Sequence, residues 1–262
     1  MNSSKTIWMS FVAAMAFGLV GCGDSGSGGT AGSGGSGGME PGTAMVTVVH
    51  LAPEVPTAMD TQVDILVNGA TAIEDLAYGE STGRVPLDAG MYTFGVAAAG
   101  STDPVISFPA TLADGDDLTV VAYRFPEDVV NVFVFSNSTE GLASGEGRVF
   151  VGHGADDSLL DPVNIVVVDG EDCAPLIPDF AFGTTAPEEG VLDLAEGTVN
   201  IGFDIAEDCA PEAGPVPVPV TADVVSILVA VDEDTTDESL DPELWAIIPD
   251  ASDEPLRLIK TN

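Results

Sequence analysis

The segment VTVVH at residues 46–50 returns as VFVGH at residues 149–153. Three further pairs of segments follow in the same order: 63–69 with 163–170, 76–79 with 180–183, and 87–94 with 194–201. A period of about 100 residues is too long for a solenoid, whose repeats span some 20–50 residues. We therefore predict two tandem domains, residues 44–140 and 141–249, and a C-terminal tail at 250–262.

Apolar residues alternate with polar or small ones inside these segments, as they do along a half-buried strand. Val199, Ile201 and Phe203 fall on one side of such a strand, and Asn200 and Gly202 on the other. Turn residues separate the short runs, and no run outside the first 21 residues has a sustained helical period. The pattern predicts an all-β chain with two tandem immunoglobulin-like β-sandwiches. The segment PVPVPV at 215–220 should be an edge strand or extended coil, because proline cannot donate to a ladder.

These segments resemble a bacterial domain of unknown function that is catalogued under number 4397. The resemblance rests on V-x-V-x-H-x-(A/S)-P, V-D-(I/V)-x-V-N-G, L-A-Y-G and L-D-A-G-x-Y-x-F, which residues 45–135 carry in this order. Residues 147–248 depart from the pattern, since Asp156 replaces its proline and Phe182 its tyrosine. The resemblance implies tandem immunoglobulin-like domains in the cell envelope or outside the cell, and it implies no activity.

Residues 1–21 are typical of a secretory signal. Lys5 precedes an uncharged apolar stretch, residues 7–20, which is shorter than the roughly 20 residues of a membrane-spanning helix. The stretch ends in LVGC, which resembles the lipobox of bacterial lipoproteins. The resemblance implies cleavage before Cys22, a lipid on its thiol and, because Gly23 follows, an outer-membrane destination. We expect a lipid-anchored envelope protein on the periplasmic face or the cell surface, with the anchor as its one membrane contact.

Residues 22–43 continue as a tether rich in glycine and serine. This composition is typical of a disordered, flexible coil, with a root-mean-square span of about 25 Å. The chain as a whole has 43 acidic and six basic residues, a formal charge of −37. Such a surface repels nucleic acid and anionic lipid headgroups, because phosphate binding needs clustered Lys and Arg. The charge favours solubility or, as an alternative, the binding of divalent cations.

Two cysteines remain besides Cys22. Cys173 and Cys209 each lie in the pentapeptide EDCAP just after a predicted strand, so two loops at one end of the second sandwich could meet. An even pair in an oxidising compartment predicts a disulfide, which would stabilise the fold by about 3–4 kcal/mol. The alternative is a metal or redox pair, although no second cysteine or histidine lies close in sequence.

Two features could suggest a hydrolase. GESTG at residues 79–83 matches G-x-S-x-G, a motif that requires a strand turning sharply into a helix, and a strand-like RVPL follows instead. We therefore predict a turn around Ser81. His50 and His153 occupy equivalent positions in the two copies, and a triad or zinc site would need them together or supported by other ligands. We predict hydrogen-bonded histidines that close the first strand of each domain, and no catalytic residues.

Acidic loops are weak candidates for calcium. One group comprises Asp232, Asp234 and Asp237, and a second comprises Asp114, Asp116 and Asp117. Both lack the glycine and the terminal glutamate of an EF-hand loop. We expect no metal site and no cofactor, with calcium at these loops as the alternative.

The sequence favours a non-enzymatic envelope module for binding, adhesion or scaffolding, with an unknown protein or glycan as ligand and no nucleic acid. The alternatives are a secreted hydrolase that uses Ser81 or a histidine, and a passive envelope spacer.

Overall fold

The computed structural model describes residues 42–56, 61–125, 129–155, 161–170, 172–187, 192–205, 210–211, 213–232, 243–249 and 257–261. These residues form β-strands and turns, which confirms the all-β prediction for this part of the chain. No helix within these ranges is long and apolar enough to cross a membrane. The chain divides into two units, Met1–Met39 and Glu40–Asn262, and every described residue belongs to the second. The predicted signal segment and Cys22 lie outside the described residues.

In the described part of the first repeat there are nine strands: β1 Thr43–Leu51, β2 Val63–Val67, β3 Ala70–Leu76, β4 Glu80–Ser81, β5 Val85–Asp88, β6 Gly90–Ala98, β7 Pro104–Leu112, β8 Asp117–Phe125 and β9 Val129–Ser136. The residues described in the second repeat form nine strands in the same order and one more: β10 Glu146–Gly154, β11 Val163–Asp169, β12 Asp172–Phe180, β13 Thr185–Ala186, β14 Leu192–Ala195, β15 Gly197–Asp204, β16 Ala213–Val220, β17 Val225–Val231, β18 Glu243–Ile248 and β19 Arg257–Thr261.

Each repeat forms two sheets. In the first repeat, the sheet that we call inner sheet 1 has the strand order β4-β1-β8-β9, and β5 also pairs with β1. The other sheet, outer sheet 1, has the order β3-β2-β6-β7. The second repeat reproduces both as inner sheet 2, β13-β10-β17-β18-β19 with β14 on β10, and outer sheet 2, β12-β11-β15-β16. This arrangement confirms two tandem β-sandwiches. Proline-rich β16 pairs with β15 alone among the described strands, as predicted for an edge.

The strand order is not that of an immunoglobulin constant domain. In an immunoglobulin constant domain the first two strands share a sheet with the fourth and fifth. Here β1 and β2 lie in different sheets, and β1 pairs in parallel with β8, with Val48 opposite Val120. Hydrophobic alternation indicates which face of a strand is buried, but it carries no information on which strands are neighbours. The two-layer sandwich could therefore be predicted and its topology could not.

Three apolar cores hold the four sheets together. One lies inside the first sandwich, one inside the second, and a third, the junction core, lies between the two inner sheets. The junction core contains buried side chains from both repeats: Val49, Leu51, Val121, Tyr123, Phe133, Phe135, Val225, Ile227, Val229, Val231, Trp245 and Ile247. The inner sheets are thus buried on both faces, which explains why every residue of β17 is buried. The sandwiches do not stand apart as separate domains.

The end of the chain extends the second sandwich. We predicted a tail at residues 250–262, but β19 pairs antiparallel with β18, with Ile259 opposite Ala246. Residues 257–261 are therefore part of inner sheet 2. The first repeat has no strand that corresponds to β19 among the described residues.

Arg148 on β10 fixes the connection between the sandwiches. Its guanidinium donates two hydrogen bonds to the Asp193 carboxylate, at 2.9 and 3.1 Å. It also donates to the carbonyls of Ser138, at 2.7 Å, and Glu140, at 3.2 Å, in the segment that links β9 to β10. Only 6% of Arg148 is exposed. A buried arginine with these four hydrogen bonds holds the link in place.

Candidate functional site

His50 closes β1 and is bonded to the loop that follows it. Its Nε2 lies 2.9 Å from the carbonyl oxygen of Thr61, so Nε2 carries the proton and donates it to this carbonyl. The other ring nitrogen then accepts from the amide of Ala52 at 3.4 Å. Only 1% of the residue is exposed, and burial lowers the pKa of the imidazole below its usual 6.5. His50 is therefore a neutral, structural histidine, as we predicted.

The repeated aromatic motifs lie against the two histidines. The Tyr78 ring of LAYG meets the His50 ring edge-on, with centroids 6.2 Å apart and planes at 88°. The Phe182 ring of FAFG meets His153 in the same way, at 6.0 Å and 89°. The amides of Gly79 and Gly183 donate to the carbonyls of His50 and His153 respectively. In each repeat the aromatic motif is thus a neighbour of the histidine in the fold, although some 26 residues separate the two in sequence.

The two histidines do not converge. Each lies on the side of its inner sheet that faces its own sandwich, because His50 shares a face with Val46 and Val48, and His153 packs against Phe180 and Phe203. Both inner sheets and the junction core lie between the two imidazoles. A shared triad or zinc site is excluded by this geometry.

Ser81 is also unsuited to nucleophilic catalysis. It lies in β4, which pairs antiparallel with β1, and it stands directly opposite Val49. Paired residues in an antiparallel ladder direct their side chains to the same face, so Ser81 shares the junction face with Val49 and not the opposite face with His50. Only 7% of Ser81 is exposed. The strand-to-helix turn of a nucleophile elbow is absent here, and a strand follows at Val85.

The motif aromatics reach across the junction. The Tyr78 hydroxyl donates to Oε2 of Glu243 in the second sandwich at 2.5 Å, and Trp245 Nε1 donates to the same oxygen at 3.0 Å. The Tyr78 and Trp245 rings pack edge-on at 5.9 Å. In the opposite direction, Phe182 packs against Tyr123 of the first sandwich at 6.4 Å. The motif aromatic of each repeat is therefore in contact with the other repeat.

Sequence reasoning did not identify this junction site of Tyr78, Glu243 and Trp245. The available signal was the aromatic residue at the third position of both LAYG and FAFG, which alternation alone leaves unexplained. Glu243 is only 6% exposed and receives two donors, so its carboxylate is held by the fold itself. This arrangement joins the two sandwiches.

The cysteine and calcium predictions fall partly outside the described residues. Cys173 lies near the start of β12, and not in a loop as predicted. It is disulfide-bonded, but its predicted partner Cys209 is not among the described residues, so the pairing stays a prediction. Asp234 and Asp237, two of the calcium candidates, also lie outside the described residues. The third candidate, Asp232, directly follows β17 and is half-buried.

The carboxylates of the second acidic group are bonded to backbone amides and to an arginine. Asp114 accepts from the amide of Thr43, and Asp116 accepts from the amide of Ala113. Asp117 binds the guanidinium of Arg84 at 2.5 Å. Within the part of the chain that the structure describes, no three His, Cys, Asp or Glu side chains are grouped as metal ligands.

A small cavity lies inside the first sandwich. It has a volume of about 20 Å³, room for one water molecule. Its walls are apolar side chains such as Ile65, Phe94, Phe108 and Val132. A cavity of this size has no room for a substrate or cofactor.

Among the described residues, three large apolar side chains are exposed on the outer surface. Met91 on β6 and Val105 on β7 are 84% and 52% exposed on outer sheet 1. Val134 on β9, at the edge of inner sheet 1, is 39% exposed. Single exposed apolar residues are common, but the position of Val134 on a sheet edge makes the backbone beside it available as well.

Residues 44–160 match the family described as a domain of unknown function, DUF4397. The matched segment covers the first sandwich from Ala44 onwards and β10 of the second. The resemblance proposed from the sequence motifs is therefore confirmed for one copy of the domain. That the second sandwich is a further copy of this family remains a prediction, supported by its identical strand order. No curated protein matches the chain.

Proposed function

We propose that this protein is a lipid-anchored component of the bacterial cell envelope that acts without enzymatic chemistry, as a module for binding, adhesion or scaffolding. The anchor is Cys22, the following tether separates the folded part from the bilayer, and the double sandwich offers its surface to a protein or glycan. The membrane is reached through the anchor alone, and the outer membrane is the proposed location.

One observation carries the non-enzymatic part of this proposal. Ser81 and His50, the residues that could suggest hydrolysis, belong to paired strands but face opposite sides of the same sheet. The imidazole is also occupied by the Thr61 carbonyl and the Ala52 amide. The motif residues that are repeated along the chain thus make contacts within the fold. Recognition is proposed to use the outer surface of the sandwiches.

The hydrolase alternative is tested with the purified chain and its Ser81→Ala and His50→Gln variants. We expect no turnover of chromogenic ester, phosphate or glycoside substrates by any of the three proteins. Turnover that is lost in Ser81→Ala or His50→Gln would contradict the proposal. Turnover that both variants retain at the wild-type rate would indicate a contaminating enzyme, and a preparation freed of it should be inactive.

Binding is tested with glycan and protein arrays probed by the full chain. Specific, saturable binding supports a recognition module, whereas the absence of any binding would favour the passive spacer. The anchor is tested separately by mass spectrometry of the N-terminal peptide and by cell fractionation. Wild type should be acylated on Cys22 and found with the membranes, and Cys22→Ala should be released from them. Membrane association that survives Cys22→Ala would contradict the anchor.

A further inference from the structure

The two inner sheets end differently at corresponding edges. β9 and β18 are equivalent strands, since Phe133 on β9 faces Val121 on β8 as Trp245 on β18 faces Val229 on β17. In inner sheet 2, β19 covers the outer side of β18. In inner sheet 1, β9 ends the sheet, and no described strand pairs with its outer side. The second sandwich therefore shows that an edge of this design accepts an antiparallel strand.

The hydrogen bonds between β8 and β9 identify the backbone groups of β9 that point away from β8, towards the open edge. The amide of Asn137 donates to the carbonyl of Asp117 at 2.8 Å, so this pair is hydrogen-bonded towards β8. Because inward and outward groups alternate along an antiparallel strand, Val132, Val134 and Ser136 direct their amides and carbonyls away from β8. The Asn131 side chain accepts from the amide of Val132 at 2.9 Å, which leaves Val134 and Ser136 as the core of the open edge.

Other edges of the fold carry features that discourage strand addition. β7 contains Pro104 and Pro109, β12 contains Pro175 and Pro178, and β16 contains a proline at every second position from 215 to 219. β9 reads VVNVFVFS, eight residues without a proline or a charge. A long, uncharged edge strand without proline is a template for another chain, and proteins normally protect such edges.

The charge of the chain indicates which strand would fit. A second copy would bring together two chains of formal charge −37, which repel each other. The covering strand of the second sandwich, β19, reads RLIKT and contains two of the six basic residues of the chain. A strand in which Lys or Arg accompanies apolar residues therefore suits an acidic sandwich with an apolar edge.

We propose that the outer edge of β9 is a docking site for an extended segment of a partner protein, rich in apolar and basic residues, which adds to inner sheet 1 as an antiparallel strand. Main-chain hydrogen bonds at Val134 and Ser136 supply the pairing, and the acidic surface selects a cationic strand. This proposal rests on the proposed binding function and names the chemistry of its partner.

A synthetic peptide with the sequence of residues 255–262, PLRLIKTN, is the probe, because it contains the one strand that an equivalent edge is seen to accept. Calorimetric titration into the full chain should show saturable binding in low salt. Val134→Pro removes an outward amide at an edge position, where proline is tolerated, and should weaken binding at least tenfold. Val134→Thr, the matched control, keeps the amide and should change the affinity less than about twofold.

Two further arms keep the test decisive. Ser136→Pro, at the next outward amide, should also weaken binding, and it replaces Val134→Pro if that variant does not fold. A peptide with glutamate in place of Arg257 and Lys260 should not bind. The proposal is overturned if the wild-type chain ignores the peptide, or if both proline variants bind it normally. It is also overturned if sedimentation shows a dimer that Val134→Pro dissociates, because a second copy then occupies the edge.

The outcomes separate this proposal from the proposed function. A ligand found on the arrays whose binding is unaffected by Val134→Pro and Ser136→Pro would overturn the β9 site and leave the binding function standing. Turnover that depends on Ser81 or His50 would overturn the non-enzymatic function, whatever happens at β9.

Discussion

The Tyr78 hydroxyl of the first sandwich lies 2.5 Å from Oε2 of Glu243 in the second and donates a hydrogen bond to it. Trp245 Nε1 is the second donor to the same oxygen, at 3.0 Å. Because Glu243 is buried at the edge of the junction core, its carboxylate depends on these donors in place of water. The third residue of the LAYG motif therefore joins the two sandwiches.

Tyr78→Phe should lower the free energy of unfolding by about 1.5–3 kcal/mol, because it leaves a buried carboxylate with one donor fewer. Tyr92→Phe is the matched control. The Tyr92 hydroxyl donates to the carbonyl of Asp88 at an exposed position, so its loss should cost less than about 1 kcal/mol. Urea unfolding at neutral pH measures both values. Equal costs for the two variants would contradict the role of Tyr78 at the junction.

Gly152→Ala should destabilise the protein by about 1–3 kcal/mol, because the junction core is closely packed at this strand. A Cβ at Gly152 would lie 3.0 Å from Cδ2 of Phe133 and 3.3 Å from Cζ of Phe135, both in the other sandwich. Gly90→Ala is the control, since a Cβ there would meet only Tyr92, at 3.8 Å. It should change stability by less than about 0.5 kcal/mol. If Gly152→Ala were as neutral as Gly90→Ala, the sandwiches would not be packed as described.

His50 should lower the free energy of unfolding as the pH drops below neutrality. Burial lowers the pKa of His50 below 6.5, so the unfolded chain takes up a proton on this residue before the folded chain does. The contribution is present above pH 6.5 and is lost as the pH falls towards the folded pKa, with a slope of up to about 1.4 kcal/mol per pH unit. His50→Gln removes this titration.

The comparison uses the slope and not the absolute stability, because His50→Gln also alters the bond to Thr61. Between pH 7 and 5.5, urea unfolding should show the wild type losing about 1 kcal/mol more than His50→Gln. Parallel pH dependences for the two proteins would show that the imidazole titrates alike in both states, contrary to its burial.

Sequence patterns predicted the parts of the fold that local chemistry controls. The NG turn between β2 and β3 is one case: Asn68 and Gly69 have φ of 52° and 79°, a conformation that asparagine and glycine adopt readily. The edge position of β16 is another, because its prolines cannot donate to a further strand. The repeat itself predicted two tandem sandwiches, and the structure shows that they share one order of strands.

The contacts between the repeats could not be predicted in the same way. The run Val48-Val49 in β1 and the almost entirely apolar β17 indicate strands buried on both faces, but not which surface covers the second face. Gly152 in β10 corresponds to Val49 in β1. The reason for a glycine at this position is visible only in the structure, where Phe133 lies beside it. The partner of Tyr78 lies 165 residues away in sequence, at a position that no repeat or motif connects with it.

The central claim is that the junction core makes the two sandwiches one structural unit. Differential scanning calorimetry of the purified full chain tests it most directly, through the ratio of the calorimetric to the van't Hoff enthalpy. A shared core predicts a single transition with a ratio near one, and Gly152→Ala should lower its midpoint without splitting it. Two resolved transitions, or a ratio near two, would contradict the claim and show that each sandwich unfolds by itself.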